Sequence, residues 1–314
     1  MMNEMNSQAE KLVGVEISGS MLKAVCLDKN GAVVDSAEMP LAAGQEIPVQ
    51  LTDFINQLKD RFGKFEKIGV ALPGLLNLST KRIALSKQMP ENTEIDLTDA
   101  ISSRTGIQAI LENDANAGAY GEYMLGAGRR SRDMLYVTLG AGVGGAFIFN
   151  GKLWRGAAGF AGELGYINID SEGLTLEEVA SADSIVRRIN TRVSQDTSSS
   201  LAKINEEDVK ISHIVRAAKD GDGFALMMLE RTGTYIGVAL ATVINLLNIG
   251  KIVVGGEVME AGISVLNGIR QSAGEMSFKP SFETTEIVAG TLGANAEAIG
   301  AALLSAGDNQ QNFN

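Results

Sequence analysis

Asp114 stands in the stretch ILENDANAGAYGE, where an apolar, strand-like run meets a helix of small residues. A carboxylate at a strand end can serve as a general base and take the proton of an alcohol. The same position suits a helix N-cap, and residue type alone leaves both roles open. Asn113 beside it, and Glu163 in the glycine-rich GFAGELG, are groups a polyol needs, because amides and carboxylates accept and orient hydroxyls. Transfer of a phosphoryl group to such an alcohol asks for a cradle for phosphates, a metal ion and one base.

Candidates for the cradle lie close by. Gly140, Gly142, Gly144 and Gly145 crowd the stretch LYVTLGAGVGGAFIFNG. Gly140, Gly142 and Gly145 fit the spacing G-x-G-x-x-G, but a dinucleotide site needs a helix after the glycines, and AFIFNG is a β run closed by a turn. A P-loop needs Gly-Lys-Ser/Thr, which is missing. The remaining reading is a β-hairpin whose tip bares its amides to an anion, against the plainer reading of a tight turn between buried strands. The segment VEISGSMLKAVCL repeats this strand, glycine turn and strand ahead of it, with Gly19 and Ser20 at its tip. Two similar halves, each opening on a hairpin, are therefore expected. A third glycine turn, Gly255–Gly256 in VVGGEV, ends an apolar strand, and glycine there would admit a flat ring or a ribose.

The elements that must carry these residues follow from periodicity. Strands are expected at KLVGVEIS, MLKAVCLDKNGAVVDSAEM, KIGVAL, IQAILEND and KIVVGGEV. PVQLTDFINQLKDRF and LTLEEVASADSIVRRINTRV have apolar residues at helical spacing. DLTDAISSRTG carries an Asp cap and a Gly stop. GFALMMLERTGTYIGVALATVINLLN holds one or two buried helices, and LGANAEAIGAALLSA a last one. VSQDTSSSLAKINEE reads as a polar surface connector and GDNQQNFN as a frayed tail.

Composition excludes several classes. The 314 residues carry a net charge of −11 and no basic cluster, so nucleic acid is not an expected partner. The start MMNEMNSQAE is polar and acidic, unlike a signal peptide, and no apolar run approaches membrane-spanning length. A cytoplasmic protein without a membrane partner is expected. With one Cys and one His, neither an internal disulfide nor a Cys/His zinc cluster can form. Cys26, in the apolar LKAVCLD, reads as core packing and not as the partner of His213.

From about residue 12 to 306 the chain resembles the ROK family (repressors, open reading frames and kinases). The resemblance rests on LENDANAGAYGE, YVTLGAGVGGAFIFNGKLWRGAAGFAGELGYINID, VALPG, VINLLN, IVVGGEV and LGANAEAIGAA, in that order. It implies an α/β, two-lobed actin-like ATPase fold, a duplicated ribonuclease-H-like unit with a cleft between lobes. The N-terminal lobe would span residues 11–125 with the last helix, 294–306, and the C-terminal lobe 126–293. It implies ATP-dependent phosphorylation of a hexose or related sugar, with Asp114 as the base. Asn113, Asp114, Glu163, Tyr166, Glu177 and Gly74 would line the sugar. Glu16, Gly19, Ser20, Gly140, Ala141 and Gly142 would hold the phosphates, Gly255 and Gly256 would border the adenosine, and Glu16 would place Mg²⁺ through water. A homodimer or homotetramer is implied.

The departures from the family pattern are specific. The first hairpin usually reads D-x-G-G-T and here is EISGS, so Glu16 carries the carboxylate one methylene further out and Ser18 replaces a glycine. The usual Thr of the second hairpin is Ala141. A hydrogen bond to a charged group contributes roughly 1.5–3 kcal/mol, or about ten- to a hundredfold in rate. The sugar-site His is Tyr166, and the cysteine-rich zinc loop expected after IDSEG is missing, so no structural zinc is expected. The readings are a sugar kinase of altered specificity, a catalytically weak sugar- or nucleotide-binding regulator, or other chemistry on the same fold. Repressors of the family carry an N-terminal winged helix-turn-helix of some dozens of residues, and with about ten residues before the first strand a DNA-binding repressor is not the expected reading.

Overall fold

The computed structural model describes residues 11–42, 44–77, 80, 82–85, 96–194, 196 and 198–307. The start MMNEMNSQAE and the tail after Gly307 lie outside the described residues. The chain divides into two compact units, residues 1–124 with 295–314, and residues 125–294.

The first unit begins with three antiparallel strands, β1 (Leu12–Ser18), β2 (Met21–Leu27) and β3 (Val33–Pro40). Helix α1 (Ile47–Phe62) buries Leu51, Phe54, Ile55 and Leu58, the apolar stripe of its 3.6-residue period. β4 (Lys67–Leu72) follows, then a short pair, β5 (Leu75–Asn77) with β6 (Arg82–Leu85). Helix α2 (Leu97–Thr105) opens on Asp96, whose side chain accepts from the Asp99 amide, and stops at left-handed Gly106. β7 (Gln108–Asn113) runs directly into α3 (Asp114–Met124). The sheet order is β3-β2-β1-β4-β7, with β4 and β7 parallel to β1.

The second unit repeats that plan. β8 (Met134–Leu139), β9 (Val143–Phe149) and β10 (Lys152–Trp154) are antiparallel, and β11 (Lys251–Gly255) and β12 (Glu286–Ala289) extend the sheet in parallel. The order β10-β9-β8-β11-β12 matches the first sheet strand for strand. The repeat legible in the two hairpins thus extends to two five-stranded sheets.

The helices of this unit differ from expectation at two points. The stretch expected as one amphipathic helix is two, α4 (Glu177–Ala180) and α5 (Ala182–Val193), broken at Ser181 with ψ 156°. The break has a partner, since the Ala182 amide donates to Gly140 O at 2.8 Å instead of to its own helix. The polar connector contains two 3-10 turns, Ser200–Lys203 and Glu206–Asp208, and buries Leu201. After α6 (Ile211–Lys219), α7 (Gly223–Leu247) is a single helix, capped by Asp222 and ended by left-handed Asn248. It packs along α8 (Ile263–Met276), which short α9 (Lys279–Glu283) follows.

The last helix, α10 (Ala296–Ser305), returns to the first unit and lies on β1 and β4. Gly14 and Gly69 make this possible. A Cβ at either would fall onto the α10 backbone, at Ala298 and Ala301 respectively. That approach carries Glu297, in the first turn of α10, to the neighbourhood of Glu16 on β1. Among the described residues, no helix is long and apolar enough to cross a membrane.

Candidate functional site

In the first unit the site is built where β7 gives way to α3. The Asn113 Oδ1 accepts from the Asn116 amide at 3.0 Å, so Asn113, not Asp114, caps the helix. Its Nδ2 donates to Gly74 O at 3.0 Å and to Asp114 Oδ1 at 2.9 Å. Asp114 Oδ1 also accepts from the Ala115 amide at 2.8 Å. These bonds hold one carboxylate oxygen of Asp114 and fix the orientation of the group. Asn113 thus works as the support of Asp114, and Gly74 contributes a carbonyl to that support.

Behind this pair lies a residue that the sequence reading missed. Glu112 is 5% exposed, and its Oε1 accepts from the Asn113 amide at 3.1 Å and from Asn116 Nδ2 at 2.9 Å. The signal was available in the i, i+4 spacing of a carboxylate and an amide across a cap, ENDAN.

Glu16 is 7% exposed on β1, and its Oε2 has no hydrogen-bond partner. Burial first, then the Glu297 carboxylate and more weakly that of Asp114, push its carboxyl up to about 8, against the opposing pull of Lys23 and the Ser18 hydroxyl. Glu297 is itself only 8% exposed. A lone carboxylate in a small-residue helix offers no sequence signal for such a pairing, because it depends on how closely α10 sits on β1. The tip residues Gly19 and Ser20 are exposed, with Gly19 at φ 54°. The carboxylates of this group are hard oxygen donors of the type Mg²⁺ takes. Among the described residues no three His, Cys, Asp or Glu are placed to hold a metal ion, so Mg²⁺ at Glu16 would draw its remaining ligands from water and phosphate.

In the second unit two of the hairpin glycines, Gly142 and Gly145, face the chain's own atoms closely. A Cβ on Gly142 would lie 2.9 Å from Glu177 Oε2, and one on Gly145 would lie 2.8 Å from Gly162 O and inside the Leu164 side chain. These side chains are missing to admit the chain's own 162–165 loop and Glu177, so the packing reading accounts for them. The tip also spends amides internally. Gly140 N donates to Gly142 O at 3.0 Å, and Val143 N donates to Glu177 Oε2 at 3.2 Å. The amides of Ala141 and Gly142 donate to no partner among the described residues, and these two are what the tip can offer an anion.

Gly255 and Gly256 are likewise cleared for protein atoms. A Cβ at Gly255 would meet the Tyr136 ring, and one at Gly256, whose φ is 90°, would meet the Leu139 backbone. A cavity of about 520 Å³ is lined by Ile211, Val215, Arg216, Lys219, Glu257 and Glu260, among others. Glu257 also packs toward the hairpin, with Oε1 3.7 Å from where a Gly140 Cβ would be.

Glu177 lies beside the turn that carries the remaining candidates. It packs against Gly165 as well as Gly142, within the turn Leu164–Tyr166 that Glu163 precedes. Glu163 and Tyr166 are exposed, Tyr166 by 57%.

Comparison with known proteins agrees with this architecture. The model of the ROK family matches residues 12–307. A glucokinase from Halalkalibacterium halodurans is 32% identical over 306 residues, covering 92% of either chain. The xylose repressor of Bacillus subtilis is 26% identical, over 94% of this chain and 77% of its own. The crystal structure of a ROK family glucokinase from Streptomyces griseus, in complex with glucose and AMPPNP, superposes with a TM-score of 0.84 at 27% identity, over 94% of this chain and 99% of that one. With duplicated sheets, paired glycine hairpins and the family pattern spanning nearly its whole length, this chain belongs to the ROK family and has its actin-like ATPase fold.

Proposed function

We propose that the chain phosphorylates a hexose or related sugar with ATP. The observation that carries the reading is the Asp114 carboxylate, presented at the end of β7 with one oxygen clamped by Asn113 and Ala115. Such a group can accept the proton of a sugar hydroxyl as the oxygen attacks phosphorus. Glu163, Tyr166 and Glu177 supply hydroxyl-binding groups in the second unit, and Tyr166 in place of the family's His alters the set that sorts sugars. The amides of Ala141 and Gly142 meet phosphate oxygens, with Gly19 and Ser20 doing so on the first hairpin. The cavity at Ile211 and Val215 takes the adenine by its apolar faces. When bound, Mg²⁺ at Glu16 supplies charge neutralisation to the phosphates.

The glucokinase relatives support this reading. The test is ADP release measured over hexoses, N-acyl hexosamines and their epimers. A sugar that stimulates release in the native chain and not in Asp114→Asn is the expected result. ATP turnover indifferent to every sugar would refute it.

A second reading is favoured by the missing hydroxyl at Ala141 and by the buried Glu16 carboxyl, which keeps its proton up to about pH 8. Here the chain binds sugar without efficient transfer, as a regulator. Xylose repressors among the relatives support it. Sugar binding in calorimetry with no ADP release in the screen would select this reading.

A further inference from the structure

Tyr166 and Glu177, both assigned to the sugar above, flank one short ribbon of chain, residues 167–176. The Leu176 amide donates to Ile167 O at 2.9 Å, so the residues just outside this bond are Tyr166 and Glu177 themselves. Further along, Asn168 and Thr175 pair antiparallel, and the Ile169 amide donates to Leu174 O at 2.8 Å. The ribbon is anchored from beneath by buried Leu176 and by Ile167, Ile169 and Leu174, which pack on the core of the second unit.

Two exposed carboxylates close the ribbon. At its far end Asp170 Oδ1 accepts from the Glu172 and Leu174 amides, both at 2.9 Å, around left-handed Gly173 with φ 88°. Near the site Glu178 Oε2 accepts from the Thr175 amide at 2.9 Å and from the Thr175 hydroxyl at 2.7 Å. Those donors, the amide first, hold the Glu178 carboxyl below the usual carboxylate range. Hydrogen bonds to an ionised acceptor are roughly twice as strong as neutral ones. Glu178 is fixed in turn by Arg187, whose Nη2 donates to its carbonyl at 3.0 Å. With one cysteine in the chain, no thiolate cluster can brace this segment, and hydrogen bonds close it. A ladder bond sets the spacing of the residues beside it. If either clasp is lost, the ribbon can fray toward the Ile167–Leu176 pair and that spacing is no longer fixed.

Resting on the sugar reading above, we propose that Asp170 and Glu178 are positioning residues for the sugar, clasping the 167–176 ribbon so that Tyr166 and Glu177 present their polar groups at a fixed separation. The two carboxylates act through the ribbon and not by touching the sugar.

The test compares the native chain with Asp170→Ala and Glu178→Ala, and with Asp170→Asn and Glu178→Gln, which keep an acceptor oxygen. Calorimetry gives the affinities for glucose, mannose, their N-acetyl hexosamine counterparts and MgADP. Both positions are exposed, so none of the substitutions disturbs the core, and thermal melts check that. For the sugars that the native chain binds, affinity is expected to fall about tenfold in each alanine variant. The Asn and Gln variants should return to within about threefold of the native affinity, and MgADP should move by less than about twofold throughout. Native sugar affinity in an alanine variant would overturn the role of that residue, and an equal loss for sugar and MgADP would overturn the positioning of the sugar by either, both leaving the sugar reading standing. Failure of every one of these sugars to bind the native chain would remove the sugar reading and this inference with it.

Discussion

Glu177 Oε2 accepts a hydrogen bond from the Val143 amide at 3.2 Å, across 34 residues of sequence. The same carboxylate fills the space left by the missing side chains of Gly142 and Gly165. It therefore ties the hairpin proposed for phosphate to the turn proposed for sugar. Glu177→Ala leaves the Val143 amide without its acceptor and opens a gap between the two, so a loss of about 1–3 kcal/mol of stability is expected. Sugar kcat/KM should fall by roughly a hundredfold, as small misplacements of reacting groups do. Glu177→Gln retains an acceptor of nearly the same shape and should recover most of the stability. Denaturant melts and steady-state kinetics on both variants measure the split. A kinetic loss in Glu177→Ala with no change in melting would show that the tie has no structural weight.

Asn113 presents a separable case, because its amide caps α3 and clamps Asp114 at once. Asn113→Ala loses a cap of about 1 kcal/mol. It also frees the Asp114 carboxylate to rotate, so kcat should drop by roughly ten- to a hundredfold while ATP affinity is unaltered. Asn113→Asp keeps the capping oxygen but removes the donors to Gly74 and Asp114, placing like charges side by side. Its stability should exceed that of Asn113→Ala at low pH and its kcat should be no better. Equal kcat in the native chain and Asn113→Ala would dismiss the clamp.

Glu16 gives the fold a pH dependence whose sign is set by its raised pKa. In the folded chain the carboxyl keeps its proton up to about pH 8, because it is buried beside Glu297 and Asp114. In the unfolded chain it ionises in the ordinary carboxylate range. Between those limits the folded state holds the extra proton, so stability is full at acid pH and is lost as pH rises through about 8. Glu16→Gln removes the penalty, since its side chain is neutral throughout. Without divalent cations, the variant should match the native chain near pH 5 and exceed it above pH 8 by something of the order of 2–4 kcal/mol. Chemical denaturation across that range decides it, and parallel stability curves would contradict it.

Legibility in the sequence tracked how local the cause of each feature was. The strand–glycine–strand hairpins, the Asp96 cap with its Gly106 stop and the β7-to-α3 junction at Asp114 are set by neighbouring residues. The break at Ser181 is set by Gly140, some forty residues away, and periodicity across ASADSIV carries no trace of it. Glycines were the least transparent. Gly142, Gly145, Gly255 and Gly256 suggested ligand contact, yet each admits protein atoms, and glycine in a sequence says that something approaches without saying what. Glu257 and Glu297 went unnoticed because a lone carboxylate acquires meaning only from the partner that folding brings to it.

The residue at the second hairpin tip allows a gain-of-function test. Ala141 is exposed between Gly140 and Gly142, so a larger side chain there meets solvent and not core. Its amide is one of the two free to meet an anion. Ala141→Thr adds a hydroxyl beside that amide without disturbing Glu177 or the Val143 bond. A hydroxyl donating to a phosphate oxygen contributes about 1.5–3 kcal/mol, so phosphoryl transfer should quicken by roughly ten- to a hundredfold. Ala141→Val has nearly the same shape and no donor, and it should give no such gain. The comparison separates hydrogen bonding from bulk, and it bears directly on whether the chain is a slow kinase or a binding protein. A slow kinase is accelerated by Ala141→Thr alone, whereas a protein that binds sugar without transfer remains silent in ADP release with either substitution.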